Sequence, residues 1–300
     1  MNIVSHDDYL SVIKLNSSYT AIQGYEAFDL FRTGNYNSLI EISDKTGVTY
    51  GTIKGWNKVD ERTGRKAVPF YVQKADSLIS KGFLPFSKSR IIEELTLYEL
   101  LSGNITTLKH SKNHYGIRLS NEKPVLQKNL VEFNNLISGF NDDEDKVIVE
   151  GKNGYSLLLT SKESSSDPIA TALSTLLVSL GCPIGKKYDQ LFPNIDFIDN
   201  DLFIYYAFKL KGGFTRDNAY FDLWASSKSI AETNRDYILN KLSSHPLRFH
   251  KSKIGLNSRE YILEDGSPRK AYTPRIYLEK SHTNLFKYFL NGFTSLLTLE

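Results

Sequence analysis

The sequence predicts an α+β protein, with a helical unit at the N-terminus followed by one plan of helices and antiparallel strands used twice. Three observations carry this. Within residues 38–56, apolar positions at helical spacing are broken by a glycine into two short segments. From about residue 89 onward, helical and alternating segments follow each other in one order and then in that order again. The chain is 40% hydrophobic, yet no apolar run reaches the length of a membrane span. Its 300 residues suffice for two or three units with buried cores. The expected units are 1–88, 89–195 and 196–300.

In chain order, "YTAIQGYEAFDLFR" in the first 36 residues has the spacing of a helix that pads the segment after it. That segment, "SLIEISDKTGVTYGTIKGW", has helix-turn-helix spacing. Gly47 permits the tight turn, and Ile42, Val48 and Ile53 pack the two helices together. Thr49, Tyr50, Thr52 and Lys54 are then shown outward, and Lys58 comes next in the polar stretch "NKVDERTGRKAVPF", which reads as a loop or small wing. Short polar side chains with cations suit phosphates and base edges. A helical hairpin that binds nothing would have the same core spacing. The helix "FYVQKADSLISKGFLPF" comes after the loop, stopped by Gly82 and Pro85.

The first copy of the repeated plan runs through the helix "RIIEELTLYELLSGN", the strand "HYGIRLS", the helix "VLQKNLVEFNNLISGF", the hairpin "KVIVEGKNGYSLLLTS" and the helix "DPIATALSTLLVSLG". The second runs through "DLFIYYAFKLKGG", the strand "AYFDLWASS", the helix "SIAETNRDYILNKL", the strands "HPLRFHKS" and "YTPRIYLEK", and the helix "SHTNLFKYFLNGF". Corresponding points such as Asn104 and Gly212 lie 108 residues apart, too long a period for a solenoid, which predicts a duplicated unit with an internal pseudo-dimer in a monomeric chain.

Charge is uneven although the net value is only +3. Residues 1–90 carry 12 Lys and Arg against 9 acids, 91–200 carry 10 against 15, and 201–280 carry 14 against 9. Basic ends around an acidic middle are compatible with a polyanionic partner. Cys182 is the single cysteine, which excludes an intramolecular disulfide and a cysteine cluster for a metal. The first residues carry acids where a secretory signal carries positive charge, so a cytoplasmic, nucleoid-associated protein without a membrane partner is expected.

The repeated order of helix, two strands, helix, two strands and helix resembles the monomeric LAGLIDADG homing endonucleases. The resemblance covers about residues 90–295 and is clearest in "LLSGNITTLKHSKNHYGIRLS" and "YYAFKLKGGFTRDNAYFDL". The helix-turn-helix ahead of it, leading in through "ADSLISKGFLPF", is similar to the layout of some archaeal LAGLIDADG proteins and of related bacterial sporulation regulators. The resemblance implies two αββαββα repeats with pseudo-twofold symmetry and a saddle-shaped antiparallel sheet on DNA. It also implies two central helices, each ending in a carboxylate that binds Mg²⁺.

The matching positions are Asn104 and Gly212, the latter beside Lys211. An amide offers no charge, glycine offers no side chain, and a neighbouring cation repels a metal ion. The reading is therefore that catalytic and metal-binding residues are absent and no cofactor is held, with Mg²⁺ needed only if cleavage survives. Glu99 and Asp217 lie near but not at these positions. The small residues of the family's helix interface correspond to Tyr98-Glu99 and Tyr206-Ala207, and Tyr at those points is expected to push the helices apart or rotate them.

On the saddle, alternation leaves Arg118, Ser120, Asp222, Trp224, Arg248, His250, Arg275 and Tyr277 on the open face. Arg118, Arg248 and Arg275 are the expected groove contacts. Solvent-exposed residues on a half-buried sheet would alternate in the same way. His250 has no second His or Cys at ligand spacing and reads as a surface histidine. The function expected is a sequence-specific double-stranded DNA-binding protein, a transcriptional regulator derived from a homing endonuclease that has lost its acids. The alternatives are a Mg²⁺-dependent site-specific endonuclease and an RNA-binding splicing cofactor.

Overall fold

A computed structural model describes residues 3–59, 64, 66–87, 89–108, 111–121, 148–151, 154–158, 168–185, 189–215, 218–223, 225–251, 259–262, 268–273 and 275–297, with the backbone alone at 102–104, 106–171, 259–271 and 293–297. Among the described residues it is an α+β chain with two four-stranded antiparallel sheets and one further hairpin. The N-terminal part holds five helices: α1 (His6–Ser11), α2 (Ala21–Thr33), α3 (Leu39–Thr46), α4 (Tyr50–Gly55) and α5 (Phe70–Ser80). The starts of α1 to α4 are set by short polar side chains that accept from backbone N–H groups: Ser5 from Asp8, Thr20 from Gln23, Ser38 from Glu41 and Thr49 from Thr52. α3 ends on Gly47 at φ +75°, a left-handed backbone that a side chain would strain, so the chain turns there into α4 as the spacing predicts.

Ile42, Val48 and Ile53 are fully buried between the two helices, and Trp56 meets Phe28 and Phe31 of α2 edge-on at 5.2 and 5.7 Å. After α4, Val59 and Lys66 form a bridge that closes the polar loop. Leu84-Pro85 is a cis peptide bond, and the extended segment there returns to pair Phe86 with Val4.

Helix α6 (Arg90–Ser102) leads into β1 (Gly103–Leu108), β2 (Ser111–Asn121), β3 (Ile148–Gly151) and β4 (Gly154–Leu158), and then α7 (Pro168–Ser179). The sheet order is β1-β2-β4-β3. The expected helix "VLQKNLVEFNNLISGF" lies outside the described residues. The stretch between "ELLS" and the expected strand "HYGIRLS" is itself a strand, β1, through Leu108, with Ile105 fully buried. Helix α8 (Asn200–Lys211), capped by Asp199, leads into β5 (Gly212–Phe214) and β6 (Ala219–Asp222). Then come α9 (Lys228–Lys241), β7 (Phe249–Lys251), the hairpin β8 (Arg259–Ile262) with β9 (Pro268–Ala271), β10 (Arg275–Leu278) and α10 (Thr283–Leu297). The second sheet runs β5-β6-β10-β7, which repeats the order of the first with the hairpin inserted before its last-made strand.

Alternation on the second sheet falls as the sequence predicts. Ala219, Phe221, Leu223, Leu247, Ile276 and Leu278 are buried. Phe221 meets Phe203 and Phe208 of α8 and Phe249 of β7, and Phe208 meets Phe286 of α10 at 4.3 Å. The N-terminal helices join this body through α7, on which α1 and α5 pack. No helix among the described residues is long and apolar enough to cross a membrane.

Candidate nucleic-acid interface

The first surface is α4. Thr49, Tyr50, Lys54 and Lys58 are exposed and Thr52 is half-buried, all on the side away from the buried Val48, Ile53 and Trp56. The hydroxyls of Thr49 and Thr52 lie 2.9 Å apart in a hydrogen bond, which fixes both side chains at the start of α4. Lys54 places its ammonium 6.0 Å from the centre of the Tyr50 ring, itself 45% exposed. Two lysines and a tyrosine thus stand outward on a seat held by the aromatic cluster beneath.

The second surface is the open face of the second sheet. Register puts Gly213, Tyr220, Tyr277 and His250 in one cross-strand row. The Tyr220 ring lies against Gly213, where a Cβ would stand 2.8 Å from the phenol oxygen, so glycine there is what lets the ring lie down on β5. Tyr220 and Tyr277 are 5.9 Å apart, and His250 stacks on Tyr277 at 5.7 Å with 18° between the ring planes. In the next row Arg275 faces Asp222 across the strands and donates from Nε to Oδ1 at 3.0 Å. Its guanidinium also sits 4.3 Å over the Tyr220 ring. Burial works against this charge, but Tyr277, Asp222 and Tyr220 together raise the Arg275 pKa above its ordinary value. Arg248 is exposed and donates to the Ser243 carbonyl at 3.4 Å; Lys251 is also exposed. On the first sheet, Arg118 stands opposite Asn104 on one side and Leu158 on the other, and Ser120 opposite Ser156. The side chains of Arg118 and Ser120 lie outside the described residues, as do Trp224 and Asp217.

Between the sheets, α6 and α8 pack directly. The expectation that tyrosines would part or rotate these helices is corrected in part: Tyr98 and Tyr206 are both buried and meet edge-on at 5.1 Å, so the rings fill the seam without parting the helices. Lys209 lies 5.7, 5.3 and 5.2 Å from the ring centres of Tyr98, Tyr205 and Tyr206. Glu94 accepts from Arg90 Nε at 3.1 Å, and burial raises its pKa against the pull of Arg90, Tyr206 and Lys209. Glu99 is buried in the same helix. Sequence reasoning finds Tyr98, Glu99 and Tyr206 of this lysine, tyrosine and glutamate cluster; the spacing Glu94–Tyr98 on one helix and Tyr206–Lys209 on the other is the signal that could have found Glu94 and Lys209.

At the ends of these helices Asn104 lies two residues past α6, already in β1, while Gly212 caps α8 with its N–H donated to the Phe208 carbonyl. A Cβ on Gly212 would run into the backbone of Phe208, at 2.5 Å from its Cα. Burial lowers the Lys211 pKa, against the opposite pull of Asp222.

No family model matches the chain, and no curated protein matches it. Among solved structures, a variant of I-DmoI in complex with its target DNA in the presence of magnesium is 13% identical, with a TM-score of 0.40 over 67% of this chain and 98% of that one. A mesophilic variant of the homing endonuclease I-DmoI is 14% identical, with a TM-score of 0.38 over 67% and 97%. The homing endonuclease I-WcaI bound to its DNA recognition sequence is 13% identical, with a TM-score of 0.41 over 79% and 94%.

Proposed function

We propose that this chain is a sequence-specific DNA-binding protein that holds its target without cutting it and acts as a transcriptional regulator. In this reading residues 1–88 form a duplex-reading helix-turn-helix unit, and 89–195 and 196–300 are two repeats related by pseudo-twofold symmetry, working as a monomer. The observation that carries the loss of cleavage is Gly212. The resemblance drawn from the sequence puts a metal-binding carboxylate there, and the backbone of Phe208 leaves no room for any side chain. Glycine at the end of α8, with Lys209 and Lys211 beside it, does not fit a divalent cation, which needs hard, negatively charged oxygen ligands. The exposed Lys54 and Lys58 on and after α4, which make no ion pair among the described residues, support duplex binding, because such cations displace counterions from phosphates. Two separate surfaces on one nucleic acid would lengthen the site and raise the effective concentration of the second contact.

The test is to retain random duplexes on the full chain, sequence the retained DNA and repeat the binding at rising salt. An enriched, long, asymmetric site whose affinity falls steeply with salt is expected. No enriched site, or affinity indifferent to salt, would overturn the reading.

A further inference from the structure

We propose that the open face of the second sheet is a stacking platform for unpaired nucleobases, formed by Tyr220, Tyr277 and His250 in one cross-strand row with Arg275 laid over Tyr220. The inference rests on the proposed nucleic-acid binding and narrows it, since it assigns this face to a single-stranded or locally opened strand instead of a duplex groove.

Groove readout needs donors that reach base edges, and Arg275, the arginine beside the row, is already committed. Arg275 is bonded to Asp222 and sits 4.3 Å over the Tyr220 ring, so its Nε–H is spent within the face and less of its N–H fork is left for base edges. In place of donors the face presents ring surface. Tyr277 and His250 are nearly parallel, His250 is exposed, and the two tyrosines are half-buried with their outer parts in solvent. Bases inside a duplex hide their faces in the stack and show only edges, whereas unpaired bases lay their faces on aromatic side chains and arginine planes.

The row is stiff before any ligand arrives. Gly213 seats Tyr220, β10 places Tyr277 between two ring neighbours, and Arg275 ties both tyrosines to Asp222. Little side-chain freedom is left to lose on binding. The charges around the row suit a phosphate backbone. Arg248, Lys251 and Lys280 are exposed near it; of the acids, Asp222 is paired with Arg275, Asp236 is exposed and acts on Lys251 while bonded to Arg235, and Glu279 is exposed.

Anisotropy titrations of the full-length protein with labelled oligothymidine, oligouridine and a mixed-sequence duplex test this in the wild type, Tyr277→Ala, Tyr277→Phe and His250→Ala. The wild type is expected to bind at least one single strand. Tyr277→Ala should weaken that binding roughly 5- to 150-fold, as loss of one stacking ring does, while Tyr277→Phe stays within about twofold. Duplex affinity should move by less than about twofold in all of them. His250→Ala sits at an exposed position and reads the same platform if Tyr277→Ala does not fold. The ratio of oligothymidine to oligouridine binding tells which strand the platform takes, and Tyr277-dependent binding of either supports it. Failure of the wild type to bind both single strands, or equal single-strand binding by every variant, would overturn the inference. If the duplex is still bound in that case, the proposed duplex binding stands and only the platform falls.

Discussion

The α4 surface and the open face of the second sheet both present aromatic rings and cations, but they hold them differently. On α4 the seat is hydrophobic and the cations are loose: Trp56, Ile53 and Val48 are buried beneath, and Lys54 and Lys58 project outward. On the sheet the seat is the strand ladder, and the cation is bound into it, since Arg275 shares Asp222, Tyr220 and Tyr277. Loose lysines suit phosphates, which need charge more than direction. A fixed row of rings suits a ligand face that must meet it flat.

The largest change should come from breaking the seat of α4. Trp56→Ala removes a ring buried against Phe28 and Phe31 and is expected to cost about 3–5 kcal/mol, read as a lowered denaturant midpoint, with duplex binding lost.

Next is the seam through which the N-terminal helices join the rest. Lys74 of α5 is buried, and its ammonium has no hydrogen-bond partner among the described residues. Burial pushes its pKa down to about 7. The unfolded chain keeps this lysine near 10.5, so between those values the unfolded state binds more protons and stability rises with pH. The penalty is fully present below about 7. Lys74→Met is therefore expected to stabilise the protein by roughly 3 kcal/mol at neutral pH. The gain should vanish toward pH 10 in denaturant titrations. An equal gain at both pH values would mean that the lysine finds a partner.

A smaller effect is expected from Arg275→Ala, which unties the sheet face. Arg275 is about one-third exposed, so solvent screening limits the loss of stability to about 1 kcal/mol by thermal melting. Tyr220 and Tyr277 should then show faster ring motion by NMR. Smallest in stability is the double change Lys54→Ala with Lys58→Ala, expected within about 0.5 kcal/mol of wild type. Its signature is a duplex-binding salt slope reduced by about 2.

Much of this architecture is legible in the sequence because it rests on periodicity. The Gly47 turn, the burial of Ile42, Val48 and Ile53, and the sorting of Arg275 and Tyr277 from Ile276 and Leu278 follow from spacing alone. β1 and β5 are harder. Gly103 and Asn104 signal a turn, although the β-branched Ile105, Thr106 and Thr107 after them carry the strand signal. β5 is "GGF", and two glycines argue against a strand until Tyr220 is seen to cover Gly213. The hairpin β8–β9, "REYI" and "PRKA", is polar and begins its second strand with proline, so its pairing is set by position in the fold.

The open-face residues are legible singly, but their coupling is not. Which tyrosine neighbours which arginine depends on cross-strand register, and register between strands 53 residues apart, such as Asp222 and Arg275, cannot be read from either strand. Gly212 likewise shows in the sequence as a missing side chain, whereas the collision with Phe208 that forbids restoring one exists only in three dimensions.

The most direct test of the central claim is a time course of the enriched duplex with the full-length protein, with Mg²⁺ or with EDTA, resolved under native and denaturing conditions. The account predicts a shifted complex in both and intact strands throughout. Strands cut at a defined position with Mg²⁺ and left whole in EDTA would contradict it.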